Sequence, residues 1–490
     1  MTKSLCQLAL TARAGRDPVL TGLAVDSREV RDGYLFAALP GSRVHGGSFI
    51  QCALRQGAAA ILTDGDGARI AERELAQSGA AVILSDDPRR TLACTAARWF
   101  GYQPETIVAV TGTNGKTSVA SFVRQIWTEL GHAAVNLGTT GVEGAWTTPL
   151  NHTTPEPITL HRALAGAVQA GVTHAALEAS SHGLDQRRLD GLHLAAAAFS
   201  NFTRDHLDYH ETPEAYFAAK ARLFRRLLPQ TGVAVINIDD PRGPEMRAIA
   251  AARGQTVLTV GQETGDITRL ARRFDASGQD LRFAHRGKTY QARLNLIGGF
   301  QGENVLLACG LAIATGDLPE HVFHTLPHLK TIRGRMQLVA TRDNGATVFV
   351  DYAHTPAAVA SATRALRPHV MGRLVAIVGA GGDRDPGKRP LMGAAAAAHA
   401  DQVIITDDNP RNENPATIRA AILQGAPDAT EIGDRAKAIL YGVDALDSGD
   451  ALLICGKGHE TGQHIGDDVL PFDDAEQASI AVAALNGRSA

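Results

Sequence analysis

Ile107-Val-Ala-Val-Thr111-Gly-Thr-Asn-Gly-Lys-Thr117 is the stretch that decides the fold class. An apolar run of strand type ends in a glycine-bearing turn, and Ser118 to Leu130 continues as a helical stretch. In that setting backbone N–H groups and a helix N-terminus wrap a polyphosphate. Lys116 is placed to neutralise β and γ oxygens, and the Thr117 hydroxyl to ligate Mg²⁺. A full-length loop of this type carries glycine where this chain has Val110, so the loop is a shorter variant beginning at Gly112. Gly112, Thr113, Asn114, Gly115, Lys116, Thr117 and Ser118 are therefore the expected ATP contacts. A ligase, a kinase, a GTPase-type switch and a motor all remain open at this point.

Working outward, short apolar runs recur at Ala175 to Leu177, Ala195 to Phe199, Val233 to Ile236, Val348 to Val350, Leu374 to Val378, Val403 to Ile405 and Leu452 to Cys455. Most read as buried strands of parallel sheets. Ala-rich helical stretches such as Pro213 to Leu228 and Thr355 to Leu366 lie between them, the alternation of an α/β protein. The 490 residues suit two to four domains. Turns at Gly101 to Pro104 and near Thr331 to Arg335 divide the chain into 1–101, 102–331 and 332–490. The expectation is three α/β units, the central one a P-loop-type ATPase with a mostly parallel sheet.

Lys plus Arg (48) nearly balance Asp plus Glu (51), so no net field favours nucleic acid or an anionic membrane. The longest apolar runs, such as Leu194 to Phe199, are far shorter than the ~20 residues that cross a bilayer. Met1 to Leu10 is too short and mixed for a secretory segment, which points to the cytoplasm. Cys6, Cys52, Cys94, Cys309 and Cys455 are scattered and form no C-x-x-C pair, so buried thiols are expected rather than disulfides or zinc ligands.

Glu178 closes the run Ala175 to Leu177 and so stands at the C-terminal edge of a strand, where open α/β sheets bind ligands. A carboxylate there suits Mg²⁺ or its water. Asn201-Phe-Thr-Arg-Asp-His206-Leu-Asp-Tyr-His210 follows the next strand, and from spacing alone His206 reads equally as a metal or base residue or as a satisfied polar side chain. Lys220 lies in a mainly apolar helical stretch and by itself reads as a lysine snorkelling to water.

Taken together, Thr111 to Thr117, Glu178-Ala-Ser-Ser-His-Gly183, Asn201 to His210, Ala218-Ala-Lys220 and Asp351-Tyr-Ala-His354 resemble the signature series of the Mur ligases. These are ATP-dependent amide ligases of peptidoglycan precursor synthesis, and the resemblance runs from about residue 25 to 460. It implies an N-terminal domain holding a UDP end, a central ATPase and a Rossmann-like C-terminal domain bringing an amino acid. It also implies that Lys220 is carbamylated by CO₂, and so becomes an anionic ligand able to hold a second Mg²⁺ with Glu178 and His206. Lys116, Glu178, His206 and Lys220 are the catalytic set it implies, acting on a carboxylate that attacks the γ-phosphate to give an acylphosphate.

By the same resemblance Ser27 and Arg43 look like uridine-nucleotide contacts, and Thr153, Thr154, Ser180, Gln186 and Arg188 like contacts to a muramoyl-dipeptide. His152 and Gln301 stand where the family has asparagine, so no role is carried to them. Asn304 matches the residue near the adenine, while Arg335, Asp351 and His354 look like ATP contacts from the interdomain face.

Asp408-Asn409-Pro410-Arg411 is a plausible helix-opening turn, since Asn-Pro favours turns. It also matches the motif of family members that add meso-2,6-diaminopimelate to UDP-N-acetylmuramoyl-L-alanyl-D-glutamate. Diaminopimelate differs from lysine by one far-end carboxylate, which a guanidinium fork suits. Arg384 matches the position that grips it, Arg411 supports the motif, Glu460 can take the distal ammonium and Gly456 allows close approach. A lysine-adding ligase and a folylpolyglutamate synthetase are the enzymic alternatives, and a nucleotide-regulated binding protein the non-enzymic one. Small-molecule substrates and a monomer are expected.

Overall fold

The computed structural model describes residues 1–41, 44–150, 152–275 and 277–487, with the backbone alone at Leu207 and Asp208. Three larger sheets organise the chain. The first is four parallel strands in sequential order, Gly22–Ala24, Tyr34–Ala37, Ala60–Thr63 and Ala81–Leu84. Asp64 and Asp87 end its last loops by capping helices Gly65–Ile70 and Pro88–Phe100, their carboxylates accepting from Gly67 and Arg90 N–H.

The second sheet has ten strands. In spatial order they are Lys288–Leu294, Gly278–His285, Ile267–Asp275, Thr256–Gly261, Val233–Asn237, Ala196–Phe199, Thr106–Thr111, His174–Glu178, Ala134–Gly138 and Gly141–Gly144. Its middle is parallel and its two edges are antiparallel. The Thr106–Thr111 strand lies between His174–Glu178 and Ala196–Phe199, with Val110 opposite Glu178 and Thr111 opposite Phe199. That register delivers the glycine turn, the Glu178 carboxylate and the Ser200-Asn201 loop to one edge. Burial on both faces explains the unbroken apolar runs: helices Lys116–Glu129 and Phe300–Ala314 cover one face with Phe122, Trp127 and Leu307. Leu164, Phe217 and Phe224 belong to the core of the other face.

The third sheet runs Gln337–Thr341, Thr347–Asp351, Ala451–Cys455, Leu374–Val378, Gln402–Ile405 and Thr430–Glu431, parallel except for the first strand. The α/β class and the parallel sheets follow the expectation. The antiparallel extension from Ile267 to Leu294 was not read from the sequence; its strands mix buried and exposed positions and lack a continuous apolar run.

Two expectations need correction. The helix expected over Pro213 to Leu228 is α-helical only for Pro213–Arg222 and then widens into a π-turn, Leu223–Leu227. Leu228 N–H reaches back to Leu223 O at 2.8 Å, and Gln255 Nε2 takes up the Phe224 and Leu228 carbonyls. Cys6 and Cys52 are exposed rather than buried, Cys52 because its helix turns Ile50 and Ala53 inward. Among the described residues no helix is long and apolar enough to cross a membrane.

Candidate functional site

At the central sheet edge the Thr117 hydroxyl donates to Glu178 Oε2 at 2.9 Å. Glu178 is 3% exposed, and its Oε1 accepts from Thr139 N–H at 2.8 Å. This approach requires glycine at 138, where a Cβ would sit 1.9 Å from Glu178 Oε1. The loop itself is cradled by the next strand end: Asn201 Oδ1 accepts from Asn114 N–H at 2.9 Å, and Ser200 Oγ donates to Asn114 O at 2.6 Å. Lys116 folds back, donating to Gly112 O (3.0 Å) and Thr113 O (2.9 Å). Burial pushes its pKa down, opposed by Glu178. Gly115 has φ +84° and faces Asn304, whose Oδ1 a Cβ would meet at 2.6 Å. Gln301 Oε1 in turn accepts from Asn304 Nδ2 at 3.1 Å, so Gln301 orients Asn304.

Lys220 does not snorkel. It is 1% exposed and donates to Gly112 O at 2.7 Å, with its Nζ 4.2 Å from the Tyr216 ring centre. Burial pushes its pKa well below the ordinary lysine value and nearby Lys116 pushes the same way, which favours the neutral amine. Tyr216 Oη donates to Thr113 Oγ1 at 3.3 Å, tying the Lys220 helix to the loop. His206 stands beside it with φ +53°, its ring centre 4.9 Å from that of His182 and 5.9 Å from that of Tyr216. Burial brings the His206 pKa down to about 4, against the pull of Asp205.

The oxygen donors of Thr117 and Glu178 suit Mg²⁺. Among the described residues no three His, Cys, Asp or Glu side chains converge as a metal-holding group, so His206 does not complete one with Glu178.

Thr154, Ser180, Gln186 and Arg188 are brought together. Thr154 Oγ1 donates to Glu178 O (2.8 Å) and accepts from Ser180 N–H (3.0 Å). Gln186 Oε1 accepts from Arg188 Nη2 at 2.8 Å, and Arg188 also donates to Thr154 O. Thr153 joins through Thr139, hydroxyl to hydroxyl at 3.0 Å. Ser27 is buried in the turn Ser27–Glu29 beyond the first strand, and Arg43 lies outside the described residues. His152 is exposed.

From the C-terminal unit Arg335 donates through Nη2 to the Thr117 hydroxyl at 3.2 Å while its guanidinium lies 4.6 Å from the Tyr352 ring centre. Asp351 Oδ2 accepts from Met336 N–H at 2.7 Å, and burial raises its pKa. His354 uses Nδ1 on Tyr352 O at 2.8 Å. Beyond them, Asn409 Nδ2 donates to Glu460 Oε2 at 2.8 Å, and Arg411, at φ +51°, donates to Gly382 O at 2.8 Å. Gly456 permits close approach, since a Cβ there would meet Asp408 Oδ2 at 2.4 Å. Pro410 O would likewise lie 1.9 Å from a Cβ on Gly382, so the motif packs directly on the Gly381-Gly382 turn that leads to Arg384. Arg384 is exposed and makes no hydrogen bond or ion pair among the described residues.

Reading the sequence missed Thr139, which holds Glu178, and Tyr352 and Lys457, which support the C-terminal residues. Thr139 follows the end of strand Ala134–Gly138, and the strand-edge rule that singled out Glu178 applies to it too.

Three family models match in order: the Mur ligase family, catalytic domain over residues 19–100, the Mur ligase middle domain over 110–312, and the Mur ligase, glutamate ligase domain over 334–458. The chain belongs to the Mur ligase family. Among similar Mur ligases, a protein of Bradyrhizobium diazoefficiens named UDP-N-acetylmuramoyl-L-alanyl-D-glutamate--2,6-diaminopimelate ligase is 52% identical over 95% of each chain. The protein of that name from Caulobacter vibrioides is 48% identical over 99% of this chain and 100% of its own. A solved structure titled with the same ligase name superposes with a TM-score of 0.71 at 34% identity, covering 99% of each chain. Folylpolyglutamate synthase of Mycobacterium tuberculosis shares the fold alone, at 20% identity over 82% of this chain and 96% of its own, with a TM-score of 0.62.

Proposed function

We propose that this Mur ligase joins the D-glutamyl carboxylate of UDP-N-acetylmuramoyl-L-alanyl-D-glutamate to an amine of meso-2,6-diaminopimelate, converting ATP to ADP and phosphate. The observation that carries the reading is the meeting at Thr117: one hydroxyl is shared by Glu178 of the central sheet and Arg335 of the C-terminal unit. The amino-acid assignment draws on the names of the near-full-length relatives and on the unpaired Arg384 near the Asp408 to Arg411 motif. Boundaries near 101 and 331 divide the labour, with uridine held around Ser27 and Arg43, the muramoyl-dipeptide around Thr153, Thr154, Ser180, Gln186 and Arg188, and diaminopimelate on the third sheet. The reading carries with it a cytoplasmic monomer acting on small molecules.

In that reaction two anions must meet. Lys116 swings from its loop carbonyls to the β and γ oxygens, and Arg335 offsets charge on the transferring group from the opposite side. Asn304, oriented by Gln301 against Gly115, lies beside the nucleotide, while Asp351 holds the Met336 amide and so keeps Arg335 aimed. The substrate carboxylate takes the γ-phosphoryl group, ADP leaves, and the amine displaces phosphate from the acylphosphate. Thr117 and Glu178 would hold magnesium, which when bound neutralises phosphate charge, and Lys220 would join them once it carries an N-carboxylate. The neutral Lys220 amine is the form that adds to CO₂, losing a proton to leave an N-carboxylate; this removes the repulsion between Lys220 and a cation.

The test is phosphate release from purified protein. It is expected only when UDP-dipeptide and diaminopimelate are both present; release with neither, or with glutamate and a folate, overturns the reading.

A further inference from the structure

Lys457 plays no part in the reaction as described, yet its side chain is fully buried and its Nζ has three polar partners. Nζ donates to Asn409 Oδ1 (3.1 Å), to Glu460 Oε2 (3.3 Å) and to Gly462 O. Asn409 and Glu460 also bond each other, so amide, carboxylate and ammonium close a triangle. Both hydrogen bonds to Glu460 fall on Oε2, while the side chain remains 32% exposed. The same fastening reaches the hairpin Gly462–Ile465/Asp468–Pro471: His464 N–H donates to Asn409 Oδ1 at 3.0 Å and Gln463 Nε2 to Asp408 O at 2.6 Å.

We propose that Lys457 is a positioning residue for amino-acid selection, one that pins Glu460 by a single oxygen and presents the other to the substrate's distal ammonium. The inference rests on the diaminopimelate reading above. A buried ammonium with three acceptors is held in one place, and it fixes both the carboxylate's rotamer and the Asn409 side chain behind it. An unpinned Glu460, about a third exposed in the turn between Gly458 and Gly462, would sample orientations that turn its charge away. Lys457 therefore acts on the binding of one substrate and not on phosphoryl transfer, whose residues lie around Thr117.

The experiment is steady-state kinetics of Lys457→Met, with Lys457→Gln as the variant that keeps a donor should the methionine protein not fold. KM for diaminopimelate is expected to rise at least ~10-fold, with KM for ATP and for UDP-dipeptide within about twofold of wild type and kcat at saturation largely retained. An unchanged KM for diaminopimelate, or a parallel rise in all three KM values, overturns the proposal. Failure of the wild type to use diaminopimelate would instead sink the functional reading beneath it, so the two failures are distinguishable.

Discussion

Arg335 Nη2 donates to Thr117 Oγ1 at 3.2 Å across a sequence separation of 218 residues. The same hydroxyl donates to Glu178, so a side chain of the C-terminal unit already touches the central phosphate loop. Nearby, Gln125 grips the backbone of Lys330 with two hydrogen bonds, accepting from its N–H at 2.7 Å and donating to its carbonyl at 3.1 Å. The connecting segment is thus anchored just before Arg335, which limits how far the guanidinium can drift from the loop.

Arg335→Ala should therefore lower kcat far more than it raises KM for UDP-dipeptide. Removing one charged donor from a developing phosphoryl charge costs about 3 to 4 kcal/mol, roughly 10²- to 10³-fold in rate. Initial rates at saturating substrates check this; a variant that loses only substrate affinity would contradict the placement.

Lys116→Ala is expected to abolish ATP turnover while UDP-dipeptide binding, measured calorimetrically, stays near native. Lys116 hydrogen-bonds two loop carbonyls here and none of the residues assigned to the UDP substrate. Near-native phosphate release would refute the loop assignment.

Lys220→Ala should be severely impaired and partly rescued by short-chain carboxylates that occupy the vacated anionic site. The sign of the pH effect follows from its depressed pKa. Between the depressed native value and the ordinary unfolded one the unfolded chain binds more protons, so this group's contribution to stability increases as pH rises through that window. CO₂ uptake by the neutral amine rises in the same direction. Labelling with ¹³C-bicarbonate should give a carbamate signal in the wild type that vanishes in Lys220→Ala; its presence in both would rule out Lys220 as the site.

Arg384→Ala should lose most activity with diaminopimelate and leave ATP affinity unchanged. Arg384 is exposed, so losing its charge-assisted hydrogen bonds to the substrate costs about 1.5 to 3 kcal/mol, roughly 10- to 150-fold in kcat/KM. Lysine should gain little, because deleting the guanidinium builds no pocket for a bare chain end. Equal use of both amino acids by the wild type would be decisive against the assignment.

Asp474→Ala tests stability alone. Arg435 and Asp474 are both fully buried and paired in a fork, Nε to Oδ1 and Nη2 to Oδ2, each 2.7 Å. Leaving that guanidinium without its carboxylate should cost about 3 to 5 kcal/mol, read as a lower urea midpoint.

The phosphate loop, the strand-edge position of Glu178 and the α/β alternation were all legible in the sequence, because each depends on residue type and spacing over a few neighbours. The antiparallel extension was not, because its half-exposed strands leave no continuous apolar run; the N-terminal strands Ala60–Thr63 and Ala81–Leu84 do lie in such runs, Ala58 to Leu62 and Ala80 to Leu84, and were missed although the same signal marks them. Lys220 shows the limit most directly. An isolated lysine among Tyr216, Phe217 and Ala219 reads as a side chain reaching for water, and only the packing of its helix against Gly112 buries the amine.

The sequence by itself determined the local chemistry: a loop that binds phosphate, a carboxylate at a strand end, and a turn of Asp408 to Arg411. Tertiary structure alone decided that Arg335 reaches Thr117, that Gln301 aims Asn304 and that Lys457 ties Asn409 to Glu460. Backbone hydrogen bonding and apolar periodicity act over a few residues and leave their mark in the chain. A side chain's partner from another segment is chosen only when sheets and helices pack, since desolvation then makes an unpaired polar group costly and selects the contacts that satisfy it.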